Sequence, residues 1–275
     1  MQLWKMVNLN SRLLKIESSY RLLLLLVLIA WAPAKEPSVI TFERGITKLR
    51  VDNLQNCYAA LDDNSIIKIN KEGKQTASVN FKSFGKISHM DVTNPFMIYL
   101  FYRNQNALLV TDNFLNLRST INLEQIESDF ITVLARSIDD GIWIFDLNDY
   151  QLKKYNQSLD LQQTSGNVMS WLNDEPDFNF LVAEGKFVYL NSPSNGILVF
   201  DQFANYYKTI PLYSLEHFQV KKEQIYYQSD SLMLRYTPSF LRTDTLYTSI
   251  GKDRKGFVQA QRIVERDSHN VYLNP

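Results

Sequence analysis

The chain has 275 residues, of which 45% are hydrophobic, so it can bury a sizeable core in one or two domains. Its 29 basic and 29 acidic side chains balance, which excludes a gross electrostatic bias of the whole chain. Cys57 is the only cysteine, so an internal disulfide is excluded.

The first 34 residues have the layout of a secretory signal peptide. Basic side chains precede an apolar run, at Lys5, Arg12, Lys15 and Arg21. The run extends from Leu22 to Ala32 and is followed by small residues at Ala32-Pro33-Ala34. It is shorter than the roughly 20 residues of a membrane-spanning helix. We therefore expect export to a periplasm or cell surface, with no stable membrane span after cleavage. An uncleaved anchor is the alternative, and Met6 could be the true start.

Removal of this segment changes the charge of the chain. Residues 1–34 contain four basic side chains and one acidic side chain, so the formal net charge falls from 0 to −3 without them. A mildly acidic chain lacks the basic surface of a nucleic-acid-binding protein. We therefore expect no nucleic-acid partner.

An apolar residue followed by an aromatic one begins six predicted strands. The aromatic residues are Tyr58, Tyr99, Trp143, Tyr189, Tyr226 and Tyr272. They recur roughly every 43 residues, which is the length of a four-stranded propeller blade. The clearest copy is the stretch from Gly141 to Asp146, where β-branched and aromatic residues stand between a glycine and an aspartate.

Each copy lies in the same frame of four predicted strands. In chain order the strands are predicted at 47–51, 57–61, 65–69 and 74–79; at 88–92, 98–101, 107–110 and 117–121; at 130–135, 142–146, 151–155 and 159–164; at 178–183, 188–191, 196–200 and 206–210; and at 217–221, 225–228, 231–236 and 241–246. The turns between them are rich in Asp, Asn and Ser, the residues that turns prefer. The fourth strand of each unit is polar, as suits an outer edge.

The last repeat is incomplete, because the chain ends at Pro275 soon after Val271-Tyr272-Leu273. Residues 38–43 form another predicted strand, and we expect it to complete the sixth blade. The fold class is therefore all-β: a single six-bladed β-propeller domain over residues 35–275, with an N-terminal strand in its last blade. Two β-sandwiches, or a five-bladed ring with a C-terminal tail, are the alternatives.

The third unit carries a resemblance to a known repeat. Residues Ile131 to Asp146 lead through Asp140-Gly141 into Ile142-Trp143-Ile144-Phe145-Asp146, and Leu152 to Tyr155 follow. This order resembles the NHL-type propeller repeat, in which an Asp-Gly turn precedes an aromatic strand. The whole chain is similar to small exported six-bladed propellers of bacteria. That fold hosts enzymes, sensors and scaffolds, so the resemblance implies no single function.

An insertion between the third and fourth units, at residues 166–177, supplies the first candidate site. Trp171 is a candidate for contact with a ligand or partner, and Asp174 and Glu175 are candidate polar contacts. Together with Asp177 they could also supply oxygen ligands to calcium. The alternative is that Trp171 and Leu172 cover the edge of a sheet.

Histidines supply the second candidate site. His89 and His217 both fall in predicted innermost strands, so both could line a central channel. Two histidines without a third ligand do not make a metal site, and a strand histidine is usually a hydrogen-bonded structural residue. No glycine-rich phosphate loop or nucleophile elbow is present. We therefore expect no metal, no cofactor and no catalytic residue.

These observations favour a non-enzymatic function. The first hypothesis is an exported propeller that binds a protein partner or scaffolds a complex in the cell envelope. The second is a metal-assisted, lactonase-like hydrolase or lyase at the channel mouth, with His89 and His217 among its ligands. The third is a sensor of a small ligand or glycan that uses exposed aromatic residues such as Trp171. Oligomeric state is not predicted.

Overall fold

A computed structural model of the chain describes residues 37–126, 128, 130–260 and 262–274. The predicted signal peptide at residues 1–34 lies outside these residues. Among the residues described, no helix is long and apolar enough to cross a membrane. The strands lie in six four-stranded antiparallel sheets, and each sheet is one blade.

The strands follow the chain in order. The first strand, β1 (Ser38–Thr41), stands apart from the first blade. Blade one contains β2 (Ile46–Val51), β3 (Cys57–Leu61), β4 (Ser65–Ile69) and β5 (Gln75–Asn80). Blade two contains β6 (His89–Asp91), β7 (Ile98–Tyr102), β8 (Ala107–Thr111) and β9 (Leu117–Asn122). Blade three contains β10 (Ile131–Arg136), β11 (Ile142–Asp146), β12 (Gln151–Tyr155) and β13 (Leu161–Thr164).

The second half of the chain continues the pattern. Blade four contains β14 (Phe180–Glu184), β15 (Phe187–Ser192), β16 (Gly196–Asp201) and β17 (Tyr206–Ile210). Blade five contains β18 (Gln219–Lys221), β19 (Gln224–Ser229), β20 (Leu232–Thr237) and β21 (Arg242–Tyr247). Blade six contains β22 (Lys255–Gln259), β23 (Arg262–Arg266) and β24 (Asn270–Leu273). Short 3-10 helices lie in the connections, at Lys82–Phe84, Arg103–Gln105, Leu123–Gln125 and Val168–Trp171.

The N-terminal strand closes the ring, as the sequence predicted. β1 pairs antiparallel with β24, from Ser38 opposite Leu273 to Thr41 opposite Asn270. The order of this sheet is β1-β24-β23-β22, so β1 is the outermost strand of blade six. The all-β, six-bladed propeller with four-stranded blades is therefore confirmed.

The prediction for the sixth blade was wrong in its register. Tyr272 lies on the third strand, β24, and not on the second strand with the other aromatic residues. The second strand is β23, where Val264 packs toward blade one with Cys57 and Ala59. β23 has the sequence Arg-Ile-Val-Glu-Arg, so it lacks the apolar–aromatic pair that marks the other blades. The blade therefore lacks one strand of its own, not two.

The core lies between adjacent blades. Trp143 is 2% exposed and packs in one cluster with Leu181 and Leu190 of the next blade. Tyr58 and Tyr99 pack in the same way, each against the blade that follows its own. A four-stranded sheet cannot bury both faces alone, so a large flat side chain at this place fills the wedge to its neighbour. Cys57 is fully buried, as expected for a small apolar residue of the second strand.

A recurrent hairpin turn sets the strand register in three blades. It has the sequence Asp-x-x-x-Asn and occurs at Asp52–Asn56, Asp112–Asn116 and Asp201–Asn205. In each copy one aspartate oxygen accepts the asparagine N–H at 2.8–2.9 Å, and the other accepts from the asparagine amide at 2.8–3.1 Å. The residue before the asparagine has a positive φ, at Gln55, Leu115 and Ala204. These side-chain hydrogen bonds add to the backbone hydrogen bonds across the same turns, such as the one from Asp52 N–H to Asn56 O at 3.0 Å.

Candidate functional site

Two cavities lie along the central channel, at opposite ends of the innermost strands. The larger, of about 620 Å³, is at the end where the first strands finish, beside Asp52, Val92 and Glu184. The smaller, of about 150 Å³, is at the end where these strands begin, beside Lys48, Ser88 and Lys255. Arg50 and His89 line both cavities and so lie between them.

Aromatic rings fill the channel between the two cavities. The ring of Phe180 lies 5.5 Å from that of His89 and 6.1 Å from that of His217, between centroids. His217 in turn lies 4.6 Å from the ring of Phe257. The Arg50 guanidinium lies over the Phe180 ring at 5.4 Å, in cation–π geometry. The propeller therefore has a closed centre with one cavity on either side.

The smaller cavity has a strongly basic wall, which we call the basic chamber. Its cationic side chains are Lys48, Arg50, Lys255 and Arg266, and its histidines are His89 and His217. One carboxylate lines it, that of Glu216, which pairs with Lys255 at the exposed rim. Blades one and six supply all four cations, and blades two and five supply the histidines.

Burial lowers the pKa of every basic group of this chamber, and repulsion by neighbouring cations lowers it further for all of them except Arg266. Burial, together with nearby Arg50, lowers the pKa of Lys48 to about 8. Burial and Arg266 lower the pKa of Arg50 to about 10, so its guanidinium stays charged at neutral pH. Burial and Arg50 hold the pKa values of His89 and His217 well below their usual range, so both imidazoles are neutral.

His89 lies on the innermost strand β6 as predicted, whereas His217 lies in the connection just before β18 and not on that strand. Both line the same chamber, but their neighbours are unsuited to a metal. The side chains of Arg50, Lys48 and Arg266 lower the pKa values of these histidines by charge repulsion. The same positive charges would repel a metal cation. Within the described residues, no group of three or more His, Cys, Asp or Glu side chains is placed to hold a metal ion. The chemistry of this wall favours anions.

The insertion at residues 166–177 lies away from the channel cavities. Trp171 stacks on Tyr206, with 4.5 Å between ring centroids and 7° between planes, and packs edge-on against Phe200. It therefore covers the core between blades three and four, which is the sheet-covering role that the sequence left open. The backbone N–H of Asp174 donates to Asn195 Oδ1 at 2.9 Å, and the carbonyl of Glu175 accepts from Ser194 Oγ at 3.2 Å. The carboxylates of Asp174 and Glu175 face outward, and both residues are exposed.

Comparisons with solved structures place the fold among known propellers. Selenomethionine-substituted virginiamycin B lyase from Staphylococcus aureus is similar with a TM-score of 0.59 at 10% identity, over 86% of this chain and 98% of that one. A catalytically inactive variant of that lyase with quinupristin gives 0.55 at 11% identity, over 83% and 80%. The Pan2 WD40 domain of Neurospora crassa gives 0.55 at 6% identity, over 88% and 95%. No family model and no curated protein matches the chain. At these identities the likeness concerns the fold alone.

Among the described residues, the turns of one face of the ring carry more large exposed apolar side chains than the opposite face or the outer strands do. Turns between strands one and two, and between strands three and four, lie on the same face because the strands of a blade alternate in direction. Seven large apolar side chains on these turns are 52–79% exposed: Leu54, Phe96, Phe114, Ile138, Phe203, Phe240 and Leu241. We call this surface the apolar-turn face. The seven side chains come from blades one to five. The larger channel cavity opens on the same face.

The opposite face carries the connections between blades, such as 81–88, 165–179 and 211–218, and we call it the linker face. Its large exposed apolar side chains, among the residues described, are Phe130, Met169 and Tyr213. The basic chamber lies at this end of the channel. The two faces therefore differ in kind, one apolar at its turns and one basic at its centre.

Sequence reasoning missed both surfaces for identifiable reasons. Lys48 and Arg50 alternate with apolar residues on β2, which was a signal of an inner strand with polar groups toward the channel. Arg266 could not be placed there because β23 was not predicted. The apolar turn residues become visible as a set only when the strand directions are known.

Proposed function

We propose that the chain is an exported, non-enzymatic propeller that binds a protein partner in the cell envelope through its apolar-turn face. The observation that carries the proposal is the concentration of exposed Phe, Leu and Ile side chains on the turns of this one face. Single exposed apolar residues are ordinary, whereas contiguous apolar patches mark interaction sites. A partner that bridges these turns would join their side chains into one buried surface. Propeller rings present such turn surfaces without disturbing their inter-blade core.

The energetics of the face suit a protein partner. Burial of apolar area contributes about 25 cal/mol per Å², and a standard interface covers about 800 Å² on each partner. Phe side chains at the centre of such an interface act as anchors. Phe96 and Phe114 both belong to blade two, whereas Phe240 belongs to blade five, so a partner that contacts them all must span the ring.

The alternative functions have less support. A metal-assisted hydrolase or lyase would need a cation beside His89 and His217, where Arg50 and Lys48 lie. A glycan sensor that used Trp171 would have only part of its ring available, because one face of the ring is stacked on Tyr206. The lyase among the similar structures supports an enzyme through fold alone, which does not transfer a function.

Binding by three forms of the propeller tests this proposal. The first is the natural chain, the second carries Phe96→Ser, Phe114→Ser and Phe240→Ser, and the matched control carries Phe130→Ser and Tyr213→Ser on the linker face. Each is immobilised and exposed to envelope extract of the source cells, and any protein retained is purified and titrated against all three. We expect a partner that the natural chain and the control bind alike, and that the triple variant binds at least about tenfold more weakly.

Equal binding by the triple variant, or the absence of any saturable partner, would contradict the proposal. All five substituted side chains are exposed, so the variants should keep the melting temperature of the natural chain. Fractionation of cells that express the full chain should place it in the envelope or outside the cell. Recovery from the cytoplasm alone would contradict the export part of the proposal.

A further inference from the structure

The basic chamber has a charge imbalance that the fold does not explain. Among the residues described, Lys48, Arg50 and Arg266 form no ion pair, and Lys255 pairs only with exposed Glu216. Arg50 donates from Nη1 to Leu49 O at 2.8 Å, and Arg266 donates from Nη1 to Ile46 O at 2.9 Å. Glu127 and Asp129, which precede β10, lie outside the described residues.

Holding these like charges together without an anion lowers the stability of the folded protein. Partial burial disfavours each charge, and the like charges repel one another across a low-dielectric wall. The lowered pKa values of Lys48 and Arg50 reflect both effects. Buried charges in proteins are normally paired or hold a ligand of opposite sign. Asp91 and Asp267 act on Arg50 and Arg266 from outside the chamber and raise their pKa values, but neither forms an ion pair with them. Within the lining, only Glu216 opposes the four cations.

Three residues that line the chamber also carry unpaired polar atoms. His217 Nε2, Arg50 Nε and Arg266 Nε are buried and have no hydrogen-bond partner among the described residues. A neutral imidazole can carry its proton on Nε2, so all three nitrogens can donate. Buried donors are nearly always satisfied, so these residues have hydrogen-bonding capacity that their protein neighbours do not use.

The chamber is large enough for a small acceptor. Its volume of about 150 Å³ admits several water molecules, and so a group the size of inorganic phosphate. Guanidinium groups match the oxygens of phosphate and carboxylate in paired hydrogen bonds, and lysine supplies a point charge. We infer that the basic chamber is a binding site for a small doubly charged oxyanion, of which inorganic phosphate is the simplest.

This site is separate from the proposed partner surface. It opens on the linker face, whereas the apolar side chains lie at the other end of the channel. Loss of one property should therefore leave the other intact. The oxyanion would bridge blades one and six across the closing seam of the ring, and its contact with Lys48 and Arg266 would stabilise that seam.

Calorimetric titration with inorganic phosphate at pH 8, at ionic strength held constant with sodium chloride, tests the inference. We expect one saturable site per chain. Lys48→Gln should weaken it by about tenfold, since one charge-assisted hydrogen bond is lost. The matched control is Lys208→Gln on the outer strand of blade four, which should bind as the natural chain does. Lys255→Gln is the second variant at the chamber, should Lys48→Gln fail to fold.

Proton uptake gives a second readout that general surface attraction would not produce. A bound dianion raises the pKa of Lys48 from about 8, so at pH 8 binding should draw protons from the buffer. Titrations in buffers of different ionisation enthalpy measure this uptake, and Lys48→Gln should abolish most of it. No saturable heat beyond that of chloride, or equal binding by Lys48→Gln, Lys255→Gln and the natural chain, would overturn the inference. Either result would leave partner capture by the apolar-turn face unaffected.

Discussion

The junction between blades three and four and the junction between blades five and six hold the ring together by different means. The first is filled by large apolar side chains, with Trp143, Phe145 and Phe200 at its centre. The second has a small apolar cluster of Met233, Ile250 and Val258. Side-chain amides supply much of the contact there instead.

Two glutamines of blade five hold the free edge of β22. The amide of Gln219 accepts from the N–H of Val258 at 2.6 Å and donates to the carbonyl of the same residue at 3.0 Å. The amide of Gln228 accepts from Gly256 N–H at 2.7 Å and donates to Arg254 O at 3.0 Å. Each side chain thus pairs with the strand as another backbone would.

The difference between the two junctions follows from the glycine at the edge of blade six that faces blade five. At Gly256 a Cβ atom would come within 2.7 Å of Ile250 Cδ1 and 3.0 Å of Met233 Cε, so even a methyl group would require these two side chains to shift. The backbone of β22 therefore lies open to blade five, and its polar groups need partners because water is excluded. The junction of blades three and four, with Trp143 as its wedge, is stabilised by buried apolar area. The junction of blades five and six, which we call the amide seam, is stabilised by satisfied hydrogen bonds.

Removal of the wedge should have the largest effect. Trp143→Ala deletes a side chain that is 2% exposed, and we expect a loss of about 3–5 kcal/mol of unfolding free energy. Urea denaturation measures it. The matched control is Leu161→Ala on the exposed outer strand of the same blade, for which we expect less than about 0.5 kcal/mol. A loss below about 1 kcal/mol for Trp143→Ala would mean that the wedge does not carry this junction.

Breaking the amide seam should have a smaller effect. Gln228→Leu leaves Gly256 N–H and Arg254 O without partners, which should cost about 1–3 kcal/mol. The matched control is Gln75→Leu on the exposed strand β5. Loss of stability in the control equal to that in Gln228→Leu would show that the seam contributes nothing specific.

The rate of thiol labelling at Cys57 can show whether blade six separates from blade one when the amide seam is broken. Cys57 packs against Val264 of blade six, and burial raises the pKa of its thiol to about 12, so it should react slowly with alkylating agents in the closed ring. Gln228→Leu should accelerate this labelling if blade six loosens as a unit. An unchanged rate would confine the effect of the substitution to the blade five side.

The strands of the blades around the Trp143 wedge were predicted from the sequence much better than those of blade six, which forms the amide seam. β4, β12 and β17 lie where alternating apolar residues and turn signals place them, because each strand reads from its own neighbours along the chain. The closure by β1 was predicted because an unpaired terminal strand and an incomplete last blade need each other. β23 was not, since Arg262 to Arg266 carry no apolar–aromatic pair.

The candidate site was predicted only in part, for a related reason. His89 and His217 were placed in inner strands from local patterns alone. Lys48 and Arg266 belong to the same chamber but are far apart in the chain, so only ring closure brings them together. A property that depends on which blade follows which is invisible until the number of blades and the register of the last one are known.

A substitution in the turn that joins β23 and β24 should have the smallest effect on the free energy of unfolding. This effect should depend on pH. Asp267 accepts from His269 N–H at 2.8 Å, from Asn270 N–H at 2.7 Å and from Tyr272 Oη at 2.8 Å. Burial opposes ionisation, but these hydrogen bonds outweigh it and hold the pKa of Asp267 well below its usual range. Its contribution to stability is therefore present above the unfolded value of about 3.9 and is lost as pH falls further.

Asp267→Asn should accordingly cost about 1 kcal/mol at pH 7, because an amide replaces one of the accepting oxygens with a donor. The cost should shrink as the pH is lowered from about 4 toward 2, because the natural chain loses its advantage there. Urea denaturation at several pH values measures the difference. Asp253→Asn, an exposed position before the same blade, is the control for removal of a negative charge. A cost for Asp267→Asn that stays constant between pH 7 and pH 2 would show that packing of the turn, and not the ionised carboxylate, stabilises the connection between β23 and β24.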